Sequence, residues 1–217
     1  TTTASSGVST ASGAVPSATV TGGPYLIAIS GAQGSGLGNY AITYVNGSMT
    51  VSPKTLTITA ANDSKVYGTV STVGGITYVG NTVTTNSGFV ASGLVNGDSL
   101  YDVTLTSAGA LPAATVGGGS LTGADLGKYT ITPSAATGSP GINSNYNIVY
   151  APGALTVTPA TLTITAANDS KVYGATTTSN GLTYTSNTVN TSSGYSTVGL
   201  VNGDAISAVT LTSLGAA

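Results

Sequence analysis

Apolar and polar residues alternate along much of this chain with the two-residue period of strands that bury one face. The clearest stretch is 40–51, where Tyr-Ala-Ile-Thr-Tyr-Val is followed by Asn46-Gly47 and then Ser-Met-Thr-Val. An Asn-Gly pair between alternating segments predicts a two-residue hairpin loop, with Val45 opposite Ser48, Tyr44 opposite Met49 and Ile42 opposite Val51. One face of that hairpin is apolar throughout; the other carries Thr43, Ser48, Thr50 and Ser52. The pattern returns at 145–158 with Pro152-Gly153 as the turn. There Tyr146, Ile148, Tyr150, Leu155 and Val157 form the apolar face, against Asn147, Thr156 and Thr158. Further strands are expected at 76–79, 103–107 and 128–132, each bounded by Gly, Asn or Ser.

These elements recur. The segment TLTITAANDSKVYG stands unchanged at 55–68 and at 161–174, an offset of 106 residues. The same offset relates the Gly-Leu-Val-Asn-Gly-Asp segments at 93–98 and 199–204, the Val-Thr-Leu-Thr-Ser segments at 103–107 and 209–213, and Asn39-Tyr40 to Asn145-Tyr146. Residues 13–20 echo 109–116 at an offset of 96, the difference being gaps in loops. Such duplication divides the chain into the second half of one unit (1–52), a complete unit (53–158) and the first half of a third (159–217). The expectation is a window cut from a longer array, with any export signal outside this chain.

The junctions lack Gly/Ser linkers, so neighbouring units are expected to be joined directly. Val51 before Pro53 and Leu56 after it are five residues apart, so the buried parity flips across the proline, as it does across Pro159. Proline cannot donate to a central ladder and suits such a crossing. Val51 and Leu56, like Val157 and Leu162, are therefore expected in different cores. About seven short strands per roughly 100 residues make a two-sheet sandwich the default architecture. The fold expected is all-β: tandem sandwich-like repeats, Ig-like in architecture only, stacked end to end as an elongated rod.

Composition narrows the function. The chain has no Cys, His or Trp, and no Glu or Arg, leaving four Lys and six Asp as its ionisable groups besides Tyr. The imidazole base, thiolate nucleophile, raised-pKa Glu, guanidinium phosphate clamp and transition-metal ligands are all missing, so no enzymatic activity and no obligatory cofactor are expected. With 5% charged residues and a net charge of −2 there is no basic footprint for nucleic acid. No apolar run approaches a membrane span. A mean hydropathy of +0.30 at low net charge places the chain among folded proteins.

Taken together, the L-T-I-T-A-x-N-D-S-K-V-Y-G strand at 56–68, the G-L-V-N-G-D turn, the G-K-Y-x-I strand at 127–131 and the N-Y-x-I-x-Y-x-x-G-x-L-T-V-x-P segment at 145–159 resemble the MBG repeat, YGX type. Where other copies continue after Y-G with Asp and an Asn-Pro pair, this chain has Gly68-Thr-Val-Ser and Gly174-Ala-Thr-Thr, a departure in a loop. The resemblance covers nearly the whole chain and implies very large secreted or surface adhesins of Gram-negative bacteria, including haemagglutinin-like and biofilm-matrix proteins. It implies export, a place outside the cell, and service as stalk or matrix fibre. It brings no catalytic residues.

Individual residues offer few sites. Asp63 and Asp169 sit in Asn-Asp-Ser-Lys, whose side chains bond their own backbone in turns; calcium is the sharper reading. Each repeat offers two recurrent Asp, the second being Asp98 or Asp204, while Asp102 becomes Ala208 in the next copy. Lys65 and Lys171, beside Tyr67 and Tyr173, are read as solvated edge lysines, against a Lys-to-Asn isopeptide crosslink. The twelve Tyr are read as core fillers rather than a sugar platform. Thr-x-Thr runs at Thr55, Thr57 and Thr59, at Thr104 and Thr106, and at Thr156 and Thr158 fit outward strand positions, with ordered ice-like water as the remote reading. No catalytic, cofactor-binding or metal-ligating residue is assigned. The partners expected are neighbouring repeats of the same chain, with lateral copies or a polysaccharide as alternatives.

Overall fold

The computed structural model describes residues 13–118 and 128–216. The amino-terminal TTTASSG and Gly127 of the G-K-Y-x-I motif lie outside the described residues. Two short strands come first, β1 (Tyr25–Ile27) and β2 (Gly47–Met49), paired antiparallel with Tyr25 opposite Met49. Residues 53–158 then carry β3 (Lys54–Ala60), β4 (Asp63–Val66), β5 (Thr72–Val73), β6 (Ile76–Thr77), β7 (Thr82–Thr85), β8 (Phe89–Ser92), β9 (Leu100–Thr106) and β10 (Tyr129–Gly138). A one-turn helix α1 (Ile142–Asn145) leads into β11 (Tyr146–Ala151) and β12 (Gly153–Thr158). Beyond Pro159 stand β13 (Thr163–Ala166), β14 (Thr188–Thr191), β15 (Tyr195–Val198) and β16 (Val209–Thr212).

The fold is all-β. Within 53–158 a five-stranded sheet, in the order β4-β12-β10-β9-β7, faces a three-stranded sheet, β11-β3-β8. Alternation decides what lies between them. Leu56, Ile58 and Ala60 point inward from β3 while Thr55 and Thr59 stay in solvent, and Val83, Val103, Leu105, Ile131 and Leu155 meet them from the other sheet. Leu56, Ile58, Val103, Leu105, Ile131 and Leu155 are all less than 2% exposed, and burying a side chain of this size contributes about 1.5–3 kcal/mol.

The segment 145–158 differs from the expected hairpin. β11 belongs to the three-stranded sheet and runs parallel to β3, with Ile148 opposite Leu56, whereas β12 belongs to the five-stranded sheet, antiparallel to β10 and parallel to β4. Pro152-Gly153 is thus a crossing between sheets, not a hairpin turn. Gly153 is required there because a Cβ would run into the carbonyl oxygens of Ala60 and Ala61. The alternation assigns Tyr146, Ile148, Tyr150, Leu155 and Val157 to one apolar face; all but Tyr150, which is exposed, are buried or half-buried, because the inner faces of two opposed sheets look alike in sequence. The 40–51 hairpin is absent as well: Ser48 and Met49 pair with Leu26 and Tyr25, and residues 40–46 lie in no strand.

Residues 159–216 repeat part of this plan. The pairs β13·β15 and β14·β16 keep the registers of β3·β8 and β7·β9, with Thr163 opposite Val198 where Thr57 is opposite Ser92, and Thr188 opposite Thr212 where Thr82 is opposite Thr106. Leu162 was expected in a core but is 43% exposed, since among the described residues no counterparts of β10 and β12 face β13.

Candidate functional site

The two places where repeat-equivalent residues meet across Pro53 and Pro159 are built alike. In each, the Gly-Leu-Val-Asn-Gly-Asp segment makes a tight turn in which Asn96 and Gly97 take φ of 58° and 79°, and Asn202 and Gly203 take 55° and 81°. Left-handed conformations at both central positions are tolerated by Asn-Gly and strained for most other residues. The turn closes with Asp98 N–H donating to Val95 O at 3.0 Å, and Asp204 N–H to Val201 O at 2.9 Å. Gly93 and Gly199 bring the approach close, since a Cβ at either would strike the carbonyl oxygen of Thr55 or Thr161.

This geometry turns the asparagine amide outward. Asn96 Nδ2 donates to Pro16 O at 2.9 Å, and Asn202 Nδ2 donates to Pro112 O at 2.9 Å. The same donor thus finds the same acceptor in two successive repeats. Val20 N–H adds a bond to Asn145 Oδ1 at 3.0 Å on the first side. A shallow cleft lined by Pro16, Val20, Val51, Asn96, Asp98 and Tyr146 runs through the first junction; the second has one lined by Tyr67, Val116, Pro159, Leu162, Val201 and Asp204. Val51 is half-buried in the first cleft and lies outside the Leu56 core.

Behind the turn, Tyr146 anchors it to β11. Its hydroxyl donates to Asp98 Oδ2 at 2.7 Å and accepts from Val95 N–H at 3.0 Å. Burial, and then the bond to the Asp98 carboxylate, push the Tyr146 phenol up from its ordinary range. The acceptor turn is also repeated: Gly13 and Gly109 lie where a Cβ would meet the rings of Tyr25 and Tyr129. Recurrence of G-A-x-P and G-L-V-N-G-D was visible in the sequence, but nothing there said that the two touch.

Asp63 opens β4 and its Oδ1 accepts from Ser64 N–H at 2.7 Å, so it is a strand residue, not the turn residue expected. Asp169, in the identical segment, lies in irregular chain and not in a turn: Oδ1 accepts from Ser170 N–H, Ser179 Oγ and Asn180 N–H at 2.8–3.1 Å, and Oδ2 from Thr178 Oγ1. These donors, the Thr178 hydroxyl foremost, hold its carboxyl below the usual carboxylate range. Among the described residues no three acidic side chains converge.

Lys65 corrects the solvated reading. It is 7% exposed, and its ammonium donates to Thr69 O at 2.8 Å and to Leu111 O. It points inward from β4 because parallel pairing with β12 turns Ser64 and Val66 outward. Desolvation pushes its pKa down. The acceptors are main-chain carbonyls, so this geometry offers no amide side chain for a crosslink. Tyrosine is less uniformly interior than expected: Tyr25, Tyr78 and Tyr146 are buried, but Tyr40, Tyr101 and Tyr173 are mostly exposed. Burial and the nearby Asp63 carboxylate push Tyr78 up to about 12. The outward Thr form ranks across three strands, Thr132–Thr106–Thr82 and Ser134–Thr104–Thr84.

Residues 56–156 match the family model of the MBG domain, YGX type. These residues form an MBG domain. The MBG domain is a structural module typical of surface proteins and not a known enzyme family. No curated protein and no solved structure matches the chain. The MBG match covers the whole two-sheet core from Leu56 to Leu155. No helix among the described residues is long and apolar enough to cross a membrane.

Proposed function

We propose that this chain is a run of structural spacer repeats from an extracellular bacterial adhesin or surface fibre, holding a binding region away from the cell or building matrix. The observation that carries this reading is the repeated junction bond, Asn96 to Pro16 and Asn202 to Pro112, each at 2.9 Å. One contact used at successive boundaries orients each unit on the last in the same way, and repetition then adds a core plus an interface per unit. The units at 1–52, 53–158 and 159–217 stack end to end as a rod, without catalysis or an obligatory metal. The absence of Cys supports export, because thiols in an oxidising compartment form bridges.

Small-angle scattering on the purified chain, at concentrations where it is monomeric, tests the reading. A rod one sandwich wide is expected, and a particle folded back on itself would overturn the spacer. A second reading, recognition of polysaccharide or ice, draws on the two ranks of three hydroxyls across β10, β9 and β7. Retention on glycan columns or thermal hysteresis by this chain alone would favour it.

A further inference from the structure

The acceptor of the second junction bond is held from inside its own unit. Three donors from 65–71 take three successive carbonyls: Ser71 N–H donates to Ala110 O at 3.1 Å, the Lys65 ammonium to Leu111 O, and Gly68 N–H to Pro112 O at 3.2 Å. Pro112 O is therefore shared, since it also accepts from Asn202 Nδ2. The same stretch grips the strand that leaves the unit. Tyr67 N–H donates to Thr158 O at 2.8 Å, and Thr158 Oγ1 donates to Lys65 O at 3.0 Å, immediately before Pro159. Gly68, at a φ of 85°, stands against the turn of the following unit. A Cβ there would run into Val201, and the three atoms nearest to it all belong to that side chain. The demand for space at 68 thus arises at the junction and not in the core, and the left-handed backbone adds a second reason for glycine.

We propose that Lys65 and Gly68 are positioning residues for the joint between 53–158 and 159–216. Lys65, 7% exposed, fixes the 110–112 segment with a charged donor where water has little access to replace it. A charged donor suits this task, because its bond to a carbonyl is stronger than a neutral one and its loss leaves the oxygen unsatisfied. Gly68 ties the same segment to the outgoing strand and leaves room for Val201. The Pro112 carbonyl and Pro159 then belong to one rigid piece, on which the 199–204 turn docks at a single angle. The direction of the next unit is in this way set by residues that precede Leu111 by more than forty positions in the chain, Lys65 being 46 away. The inference rests on reading 53–158 and 159–216 as stacked units, and it does not depend on where the protein works.

The first junction supplies the control, because Asn96 belongs to the same unit as Lys65 but meets Pro16 across a cleft that 65–71 do not line. Since the chain has no Cys, nitroxide labels can be placed in pairs on the full chain. Thr59→Cys with Thr165→Cys spans the second junction, Thr59→Cys with Ser48→Cys spans the first, and all three positions are exposed. Pulsed electron–electron double resonance then reads the spread of distances across each. Narrow distributions are expected at both junctions when no other residue is changed. Asn202→Ala removes the junction donor and sets the width of a released joint. Lys65→Met and Gly68→Ala should each broaden the second distribution to that width and leave the first as it was. Adding Val201→Ala should narrow the Gly68→Ala distribution again, because the methyl groups that meet the new Cβ are gone, and should not narrow that of Lys65→Met. Gly68→Ala leaves the buried core residues untouched, so it decides the matter even if Lys65→Met unfolds the unit. Equal broadening at both junctions, narrow distributions in both variants, or no narrowing by Val201→Ala would each overturn the proposal. These widths report order at each junction and not overall shape, which the scattering experiment reads separately.

Discussion

Residues 55–68 and 161–174 are the same fourteen amino acids in two settings. In the first, Leu56, Ile58 and Lys65 are buried and Asp63–Val66 is a strand; in the second, Leu162 and Ile164 are exposed and 169–172 forms no strand. Local sequence is held constant, so the difference measures what the partner strands supply. β4 exists because β12 runs beside it, and Leu56 and Ile58 of β3 are core residues because the five-stranded sheet faces them. Strand propensity here describes fitness for a pleated surface and not an intrinsic backbone preference.

The largest contrast should come from the leucines. Leu56→Ala is expected to cost about 3–4 kcal/mol, as deletion of a fully buried leucine does, and Leu162→Ala less than about 0.5 kcal/mol. Paired urea denaturations would measure both, and equal costs would dissolve the comparison. Next comes the buried lysine. Lys65→Ala strands the carbonyls of Thr69 and Leu111 and should cost about 1–3 kcal/mol. Because burial lowers the Lys65 pKa, the folded state binds its proton less tightly than the unfolded one. Stability in the wild-type chain should therefore rise as pH climbs from the lowered value toward the ordinary lysine range, and Lys65→Met should abolish that rise.

The aspartates sharpen the comparison at the acidic end. Asp169 has a lowered pKa, so its contribution is complete above the unfolded value near pH 4 and fades as pH falls through the folded one. Amide exchange at Asn180, which donates to that carboxylate, should accelerate below about pH 4, and Asp169→Asn should remove the pH dependence. The smallest effect expected is from calcium. Millimolar calcium followed by chelator should leave the melting temperature unchanged in both repeats; an upward, reversible shift of several degrees would mean a metal-stiffened rod.

What the sequence made legible follows from the same contrast. Alternation identified Leu56 and Ile58 of β3, Tyr146 and Ile148 of β11 and Leu155 and Val157 of β12 as inward residues, because the pleat fixes which side chains share a face, but it also placed Tyr150 there, which is exposed. It could not identify their neighbours, so the 145–158 segment was read as one hairpin when it feeds two sheets. The burial of Lys65 depends on a loop 46 residues away, and the exposure of Leu162 on a strand that does not cover it here; neither leaves a local mark. The junction was half legible: its two motifs recur visibly, but Asn96 and Pro16 are 80 residues apart, and only the fold brings them together.

The repeated asparagine-to-proline bond also bears on how such a gene changes. Near-identical tandem stretches are substrates for unequal recombination, which adds or removes whole periods wherever the crossover falls. When every boundary uses the same donor and the same acceptor, a product with one period more or fewer still has each asparagine facing its carbonyl. Length becomes a heritable quantity that can drift without any single exchange producing a misfit joint.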